Sequence, residues 1–212
     1  MNRKSHWESI YATKDTTSLS WYQPHPHRSL DLIDRTAVAK SAKILDVGGG
    51  DSLLVDELVS RGYSDITVVD LSRAALDRAR TRLGKKASRR VTWLEGDILD
   101  VNLPSWAFDV WHDRAVFHFL TSAKERDAYI GRVEHSVRPG AHIIVATFSE
   151  NGPTRCSGLP VVRYSATQLR RTFGSDFQLL ASESETHHTP TGAEQSFIYC
   201  WCRYEPVAVG AH

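Results

Sequence analysis

Apolar and polar positions fall in short blocks along the chain, and the period of the blocks switches in a regular order. Lys43 to Val47 is an apolar run that ends in Gly48-Gly49-Gly50, which predicts a buried strand running into a tight turn. From Ser52 to Arg61, Leu54 and Leu58 with Val55 and Val59 recur at helical spacing, and Gly62 is a natural stop. Ile66 to Val69 predicts a second strand. Ser72 is placed to cap a helix whose stripe is Leu76, Ala79 and Leu83, with Gly84 at its end. Val91 to Leu94 and Phe108 to Trp111 predict the third and fourth strands. Ser122 and Glu125 have capping-box spacing for a helix through about Ser136, and Ala141 to Phe148 reads as the fifth strand. Ser165 and Gln168 repeat the box for a helix that stops at Gly174, and two extended runs follow at Phe177 to Ala181 and Ser196 to Tyr204.

Strands that alternate with helices predict an α/β protein with a parallel sheet and helices on both faces. Only a turn-rich stretch, Thr186 to Gly192, separates the last two strands, so these are expected to form an antiparallel hairpin at one edge. The first forty residues have a different texture, with Trp7, Tyr11, Trp21 and Tyr22 set among Thr, Ser, Pro and His. Pro24-His25-Pro26 must be extended, and a helix is expected from Ser29 to Ala39 with Leu30, Ile33 and Ala37 on one face. The expected organisation is an arm or lid over 1–40, a domain over 41–204 and a tail over 205–212.

Composition narrows the functional classes. The 212 residues are enough for one domain with its own core. Lys plus Arg is 26 against 25 Asp plus Glu, a net of +1, which argues against a nucleic-acid partner bound through a basic surface. The longest apolar runs, such as Ile143 to Ala146, are far too short to span a bilayer, so no membrane role is expected. Met1 to Ser18 has no apolar signal core, and the cysteines, Cys156, Cys200 and Cys202, are odd in number. Both features point to a cytoplasmic protein.

The candidate chemistry begins at the glycine loop. Glycines let the backbone turn sharply and approach a ligand closely, and the helix that follows offers free N–H groups. A dinucleotide fingerprint needs a glycine at the sixth place, which here is Leu53, and no Gly-Lys-Ser/Thr follows for a phosphate-cradling loop. Asp70 ends the second strand 24 residues after Asp46, where an acid suits a grip on a ribose diol or caps the next helix. Asp97, at the end of the third strand, is placed to accept from an adenine amino group while Ile98 packs on the ring.

Leu45-Asp46-Val47-Gly48-Gly49-Gly50, Val69-Asp70, Glu95-Gly96-Asp97-Ile98 and Val137-Arg138-Pro139-Gly140-Ala141 occur in that order. The set resembles class I S-adenosylmethionine-dependent methyltransferases. The resemblance spans about Lys43 to Phe148. It implies a Rossmann-like seven-stranded sheet, mostly parallel with the last strand antiparallel. It implies S-adenosylmethionine as cofactor, with Gly48 and Gly50 at the methionine part, Asp70 at the ribose and Asp97 at the adenine; Asp46, Gly49, Leu71 and Ile98 are expected to bind the cofactor with them. Two departures are mild: Gly49 stands where Cys or Ala is frequent, and Ser52 where a third glycine is frequent. The arm, Trp7-Glu8-Ser9-Ile10-Tyr11 and Ser20-Trp21-Tyr22-Gln23, resembles the aromatic lid of small bacterial members. Trp7, Tyr11 and Trp21 either face the sulfonium through cation–π attraction or pin the arm to the core.

Methyl transfer is an in-line displacement that needs an unprotonated nucleophile held close and dry. The fourth strand ends in Trp111-His112-Asp113-Arg114, and Ala115 to Leu120, with His118, comes next. His112 and His118 are candidate bases and Asp113 a candidate orienter or cation ligand; alternatively Asp113 pairs with Arg114 and His118 caps a turn. The long segment from Phe148 to Tyr164 carries Arg155 and Arg163, which with Arg114 suit an anionic substrate, and Cys156, read as a packed thiol. The ten histidines show no zinc spacing, so no metal is expected. The function expected is methyl transfer to a small molecule. A protein lysine methyltransferase and a non-catalytic cofactor-binding module are the alternatives.

Overall fold

Continuous apolar runs flanked by helical stripes build a sheet that is covered on both faces. A computed structural model describes residues 3–207; residues 1–2 of the expected arm and 208–212 of the expected tail lie outside the described residues. The strands are β1 (Lys43–Val47), β2 (Asp65–Asp70), β3 (Val91–Glu95), β4 (Phe108–Arg114), β5 (Val137–Phe148), the short β6 (Arg155–Cys156) and β7 (Leu159–Pro160), β8 (Phe177–His188) and β9 (Glu194–Tyr204). The helices are α1 (Arg3–Thr13), α2 (His27–Arg35), α3 (Leu54–Ser60), α4 (Arg73–Ser88), α5 (Ala123–Ser136) and α6 (Ala166–Phe173).

Among the described residues, seven strands form one sheet in the order β3-β2-β1-β4-β5-β9-β8. β1 to β5 pair in parallel, and β9 runs antiparallel between β5 and β8. The expected edge hairpin is therefore present, with β9 as the inner of its two strands. Strand order reverses between β1 and β4, which is where ligands gather in such sheets. One face buries Trp111, Phe117, Tyr129 and Phe173 under α5 and α6. The other buries Ile44, Val110, Ile144 and Phe148 with Leu32 and Ile33 of α2. Both expected capping boxes form, at Ser122/Glu125 and Ser165/Gln168.

Several boundaries move, each for a physical reason. The arm, for which no helix was expected before Ser29, holds the eleven-residue helix α1, whose Ile10 and Tyr11 are buried with Leu19 and with Ala75 of α4, Trp7 packing beside them. The helix expected from Ser29 to Ala39 is α2, which starts two residues earlier behind Pro26; Ala37, at φ 55°, lies beyond its end. Helical turns resume after a break at Gly84, so α4 reaches Ser88. β8 runs on to His188, which shortens the turn to residues 189–193. The segment after β5 is not wholly irregular, since β6 and β7 pair within it. The change that matters most is in β4. It continues three residues past Trp111, so His112, Asp113 and Arg114 are strand residues with alternating faces. Trp111 and Asp113 turn toward Tyr129 of α5, whereas His112 and Arg114 turn toward α2 and the arm.

Candidate active site

A cavity lies at the carboxyl ends of β1 to β4, roofed by the arm. Asp46, Gly48, Gly49, Asp70, Leu71, Asp97 and Ile98 line it from the sheet, and Trp7, Tyr11 and Trp21 from above. Gly50 is the one candidate cofactor residue outside the lining, and it lies beside two that are in it. Its φ is 51°, and a Cβ built there would meet Tyr11 Oη at 2.8 Å and Asp70 Oδ2 at 3.2 Å. Gly48, at φ 64°, is confined differently: an added Cβ would overlap Val116 Cγ2 of the segment after β4.

The acids are spaced along one side of the cavity. Asp70 is buried, and its Oδ1 accepts the Ser72 N–H at 2.8 Å. Burial pushes its pKa up to about 7; the charges of Asp46 and Asp51 add to the rise, and the Ser72 and Gly50 N–H bonds oppose it. Asp97 is partly exposed, accepts the Leu99 N–H at 3.0 Å and has Arg3 of the arm 3.9 Å away. A buried carboxylate at the end of β2, a second at the end of β3 and a glycine cradle fit a nucleoside joined to an amino-acid moiety.

The arm is tied down on several sides. Glu8 accepts from Ser72 Oγ at 2.7 Å and from the Ala74 N–H at 3.3 Å, so it sits on the amino end of α4. Arg78 donates to the Lys14 carbonyl at 2.9 Å, and Arg3 pairs with Glu125. Trp7 packs edge-on against Trp21 (5.5 Å) and Phe119 (5.3 Å).

Gln23, Pro26, Ser29, His112, Arg114, Phe119 and Cys156 also line the cavity. β1 and β4 pair so that Asp46 lies beside His112. His112 Nδ1 is 2.8 Å from Asp46 Oδ1, and Nε2 is 2.9 Å from Ser29 Oγ. The Arg114 side chain is only 10% exposed. Its Nε donates to Tyr199 Oη at 3.0 Å, Nη1 donates to the Trp21 carbonyl at 3.3 Å, and its plane lies 4.3 Å over Phe197. Glu185 of β8 is 3.8 Å from Nη2 and accepts from Tyr199 Oη at 3.1 Å. Burial pushes the Cys156 thiol up to about 12, so it stays protonated near neutrality.

Four candidate residues stand apart from the cavity. Asp113 faces the opposite side of the sheet, where it accepts from the Val116 and Phe117 N–H groups and from Tyr129 Oη. Burial raises its pKa to about 6, against the pull of those donors. His118 is fully buried against Phe119 and Phe148; its Nδ1 accepts the Phe148 N–H, and burial pushes its pKa down to about 3. Arg155 and Arg163 are exposed and donate to loop carbonyls, of Gly158 and of Glu150 and Gly152 respectively. Ser29 is the residue that sequence reasoning passed over. Its signal was a polar side chain four residues from Ile33, on the face that α2 buries. Among the described residues, no group of three or more His, Cys, Asp or Glu side chains is placed to hold a metal ion. No helix among them is long and apolar enough to cross a membrane.

The open parallel sheet with an inserted antiparallel strand, and the acids and glycine loop at its switch point, define a protein of the Rossmann-like methyltransferase type. A family model described as a methyltransferase domain matches residues 44–140. EEF1A lysine methyltransferase 2 of Danio rerio is 22% identical over 160 residues, 69% of each chain. The N-methyltransferase NodS of Bradyrhizobium japonicum, solved with S-adenosyl-l-homocysteine, superposes with a TM-score of 0.73 at 15% identity, over 97% of this chain and 100% of that one. The 1,6-didemethyltoxoflavin-N1-methyltransferase of Burkholderia thailandensis, also with S-adenosylhomocysteine, gives 0.71 at 17% identity over 96% and 87%. Residues 44–140 are thus a methyltransferase domain on a class I methyltransferase fold, and the cofactor is S-adenosylmethionine.

Proposed function

We propose that the chain methylates a small molecule that carries an anionic group. The observation that carries this reading is Arg114, a buried guanidinium in the cavity wall. A fixed cation there favours an oxyanion and disfavours an ammonium. The roof of Trp7, Tyr11 and Trp21 supports it, since an aromatic cover over the site suits a small acceptor. In this reading Asp70 and Leu71 hold the ribose, Asp97 and Ile98 the adenine, and Asp46 with the glycine loop the methionine part. The cofactor supplies a methyl group already activated on a sulfonium. The protein positions the acceptor and excludes water.

A second reading, a lysine side chain of a protein, is favoured by the name of the zebrafish relative. One experiment separates them. Purified protein and labelled S-adenosylmethionine are incubated with a metabolite extract and, separately, with a cell lysate stripped of small molecules. Label in an anionic metabolite is expected. Label confined to a protein band, recovered on lysine, would replace the first reading with the second.

A further inference from the structure

Ser29, His112 and Arg114 stand in one wall of the cavity, and the direction of every bond along that wall is fixed from its ends. Arg114 can only donate, and an ionised Glu185 can only accept. Tyr199 Oη lies between them, accepts from Arg114 Nε at 3.0 Å and gives its own hydrogen to Glu185 at 3.1 Å. Ser29 gives its single hydroxyl hydrogen to the same Tyr199 oxygen. The Ser29 oxygen is left to accept, so His112 Nε2, 2.9 Å away, carries a hydrogen and donates it. His112 Nδ1 lies 2.8 Å from Asp46 Oδ1, a separation that requires a hydrogen between the two atoms. Both ring nitrogens are therefore engaged inside the wall, and neither offers a lone pair to an acceptor.

The other titratable groups around the cavity are engaged as well. Asp46 Oδ2 has no partner, but it is buried against Gly49. Asp51 is held by Thr16 Oγ1 and by Arg78. Burial keeps the hydrogen on the Cys156 thiol and on the Tyr11 phenol. Asp70 and Asp97 face the ribose and the adenine in the reading above. Asp113 and His118 stand apart from the cavity, on the far face of the sheet and among Phe119 and Phe148.

We propose that the acceptor is methylated as its own anion, a carboxylate or a thiolate, with no proton passing to the protein. The proposal rests on the methyl-transfer reading above and deepens it by naming the attacking atom. A lone pair on the anionic oxygen or sulfur forms the bond to the methyl carbon, and the carbon–sulfur pair returns to the sulfonium sulfur. One negative and one positive charge are removed together, and no hydrogen changes place. Arg114, buried in the same wall, favours the acceptor in its anionic form. An alcohol or an amide has to lose a hydrogen as the methyl arrives, and the imidazole of this wall cannot take it.

One arm of the test needs no acceptor. Full-length protein labelled with nitrogen-15 at histidine is observed with S-adenosylhomocysteine bound, from about pH 5.5 to about 8, the range in which imidazoles titrate. A hydrogen on His112 Nε2 throughout is expected, with its resonance moved in Ser29→Ala. A lone pair on Nε2 overturns the proposal, because the wall then holds a base. The second arm takes the acceptor that the metabolite extract yields, with the cofactor saturating so that Asp70 does not contribute. Label on a carboxylate is released as methanol by mild alkali, and label on sulfur resists it; one of the two is expected. A carboxylate acceptor should give kcat/KM with no acid limb above about pH 5.5, and a thiol acceptor a limb that follows the thiol's own pKa across a series of analogues. Label on an alcohol oxygen or on nitrogen overturns the proposal and leaves the anionic-acceptor reading standing. So does an acid limb that stays at one pH for every analogue and disappears in His112→Gln. Label confined to lysine in a protein overturns the anionic-acceptor reading and the proposal together. A wild type that methylates nothing in either extract overturns the methyl-transfer reading, and the proposal with it.

Discussion

At the scale of single residues, Asp70 carries a conflict that pH exposes. Its pKa of about 7 lies above the roughly 3.9 of an unfolded aspartate, so the folded chain binds this proton more tightly than the unfolded one. Its contribution to stability is present below about pH 4 and is lost as pH rises through 7. A bound ribose diol reverses the preference, because its hydroxyls donate and favour the ionised carboxylate. Affinity for S-adenosylhomocysteine should therefore rise about tenfold per pH unit up to about 7 and then level, with a proton released on binding. Calorimetric titration at several pH values measures this, and Asp70→Asn should flatten the curve. Asp70→Ala should cost roughly 1.5–3 kcal/mol of binding, the range for bonds to a charged group; unchanged affinity would remove Asp70 from the ribose. The two glycines should behave differently. Gly50→Val places atoms against Tyr11 and Asp70 and should abolish binding with the fold intact. Gly48→Val drives into Val116 and should also lower the melting temperature.

At the scale of elements, the question is what holds α1 over the cavity. Glu8 satisfies the amino end of α4, a bond worth about 1 kcal/mol when lost. Glu8→Ala should lower the melting temperature by about 2–4 °C in a chain of this size. It should also speed proteolysis after Lys14, and S-adenosylhomocysteine should slow that cleavage in the wild type. Cleavage at one rate with and without ligand would mean that the arm is fixed independently of the cofactor. The aromatics of the arm were legible in the sequence; its helix and its polar anchors were not. Trp7, Ile10 and Tyr11 form only a short apolar stripe, and the ion pairs and cap go to residues far along the chain, which leaves no local period. The sheet was legible because its strands are buried on both faces and read as continuous apolar runs between glycines and capping boxes. The glycine loop and the acids after β2 and β3 were legible for the same reason, since each is fixed to a strand end. Residues after β4 were placed less well. His112 and Asp113 were read together at the end of the fourth strand, as base and orienter, when the pleat sends them to opposite faces. Arg155 and Arg163 share a segment with Cys156, but only Cys156 turns inward.

At the scale of the whole molecule, the cavity holds charges that a nearly neutral chain does not advertise. Asp46, Asp51, Asp70 and Asp97 line it together with Arg3 and Arg114. The sign of the acceptor can be tested at Arg114, which is buried. For an anionic acceptor, Arg114→Gln removes a charge-assisted bond of about 1.5–3 kcal/mol, so KM should rise roughly ten- to a hundredfold while cofactor affinity holds. For a lysine acceptor the same change removes a like charge, and KM should fall. The confounding effect is Glu185, which lies 3.8 Å from Arg114 Nη2 and would be left buried without its cation. The double variant Arg114→Gln with Glu185→Gln removes that penalty by leaving neither charge. If the double variant regains the wild-type melting temperature and still has a raised KM, the loss belongs to recognition. If KM recovers together with stability, Arg114 is a structural ion-pair partner, and the acceptor is held by the arm and the loop of Cys156 instead.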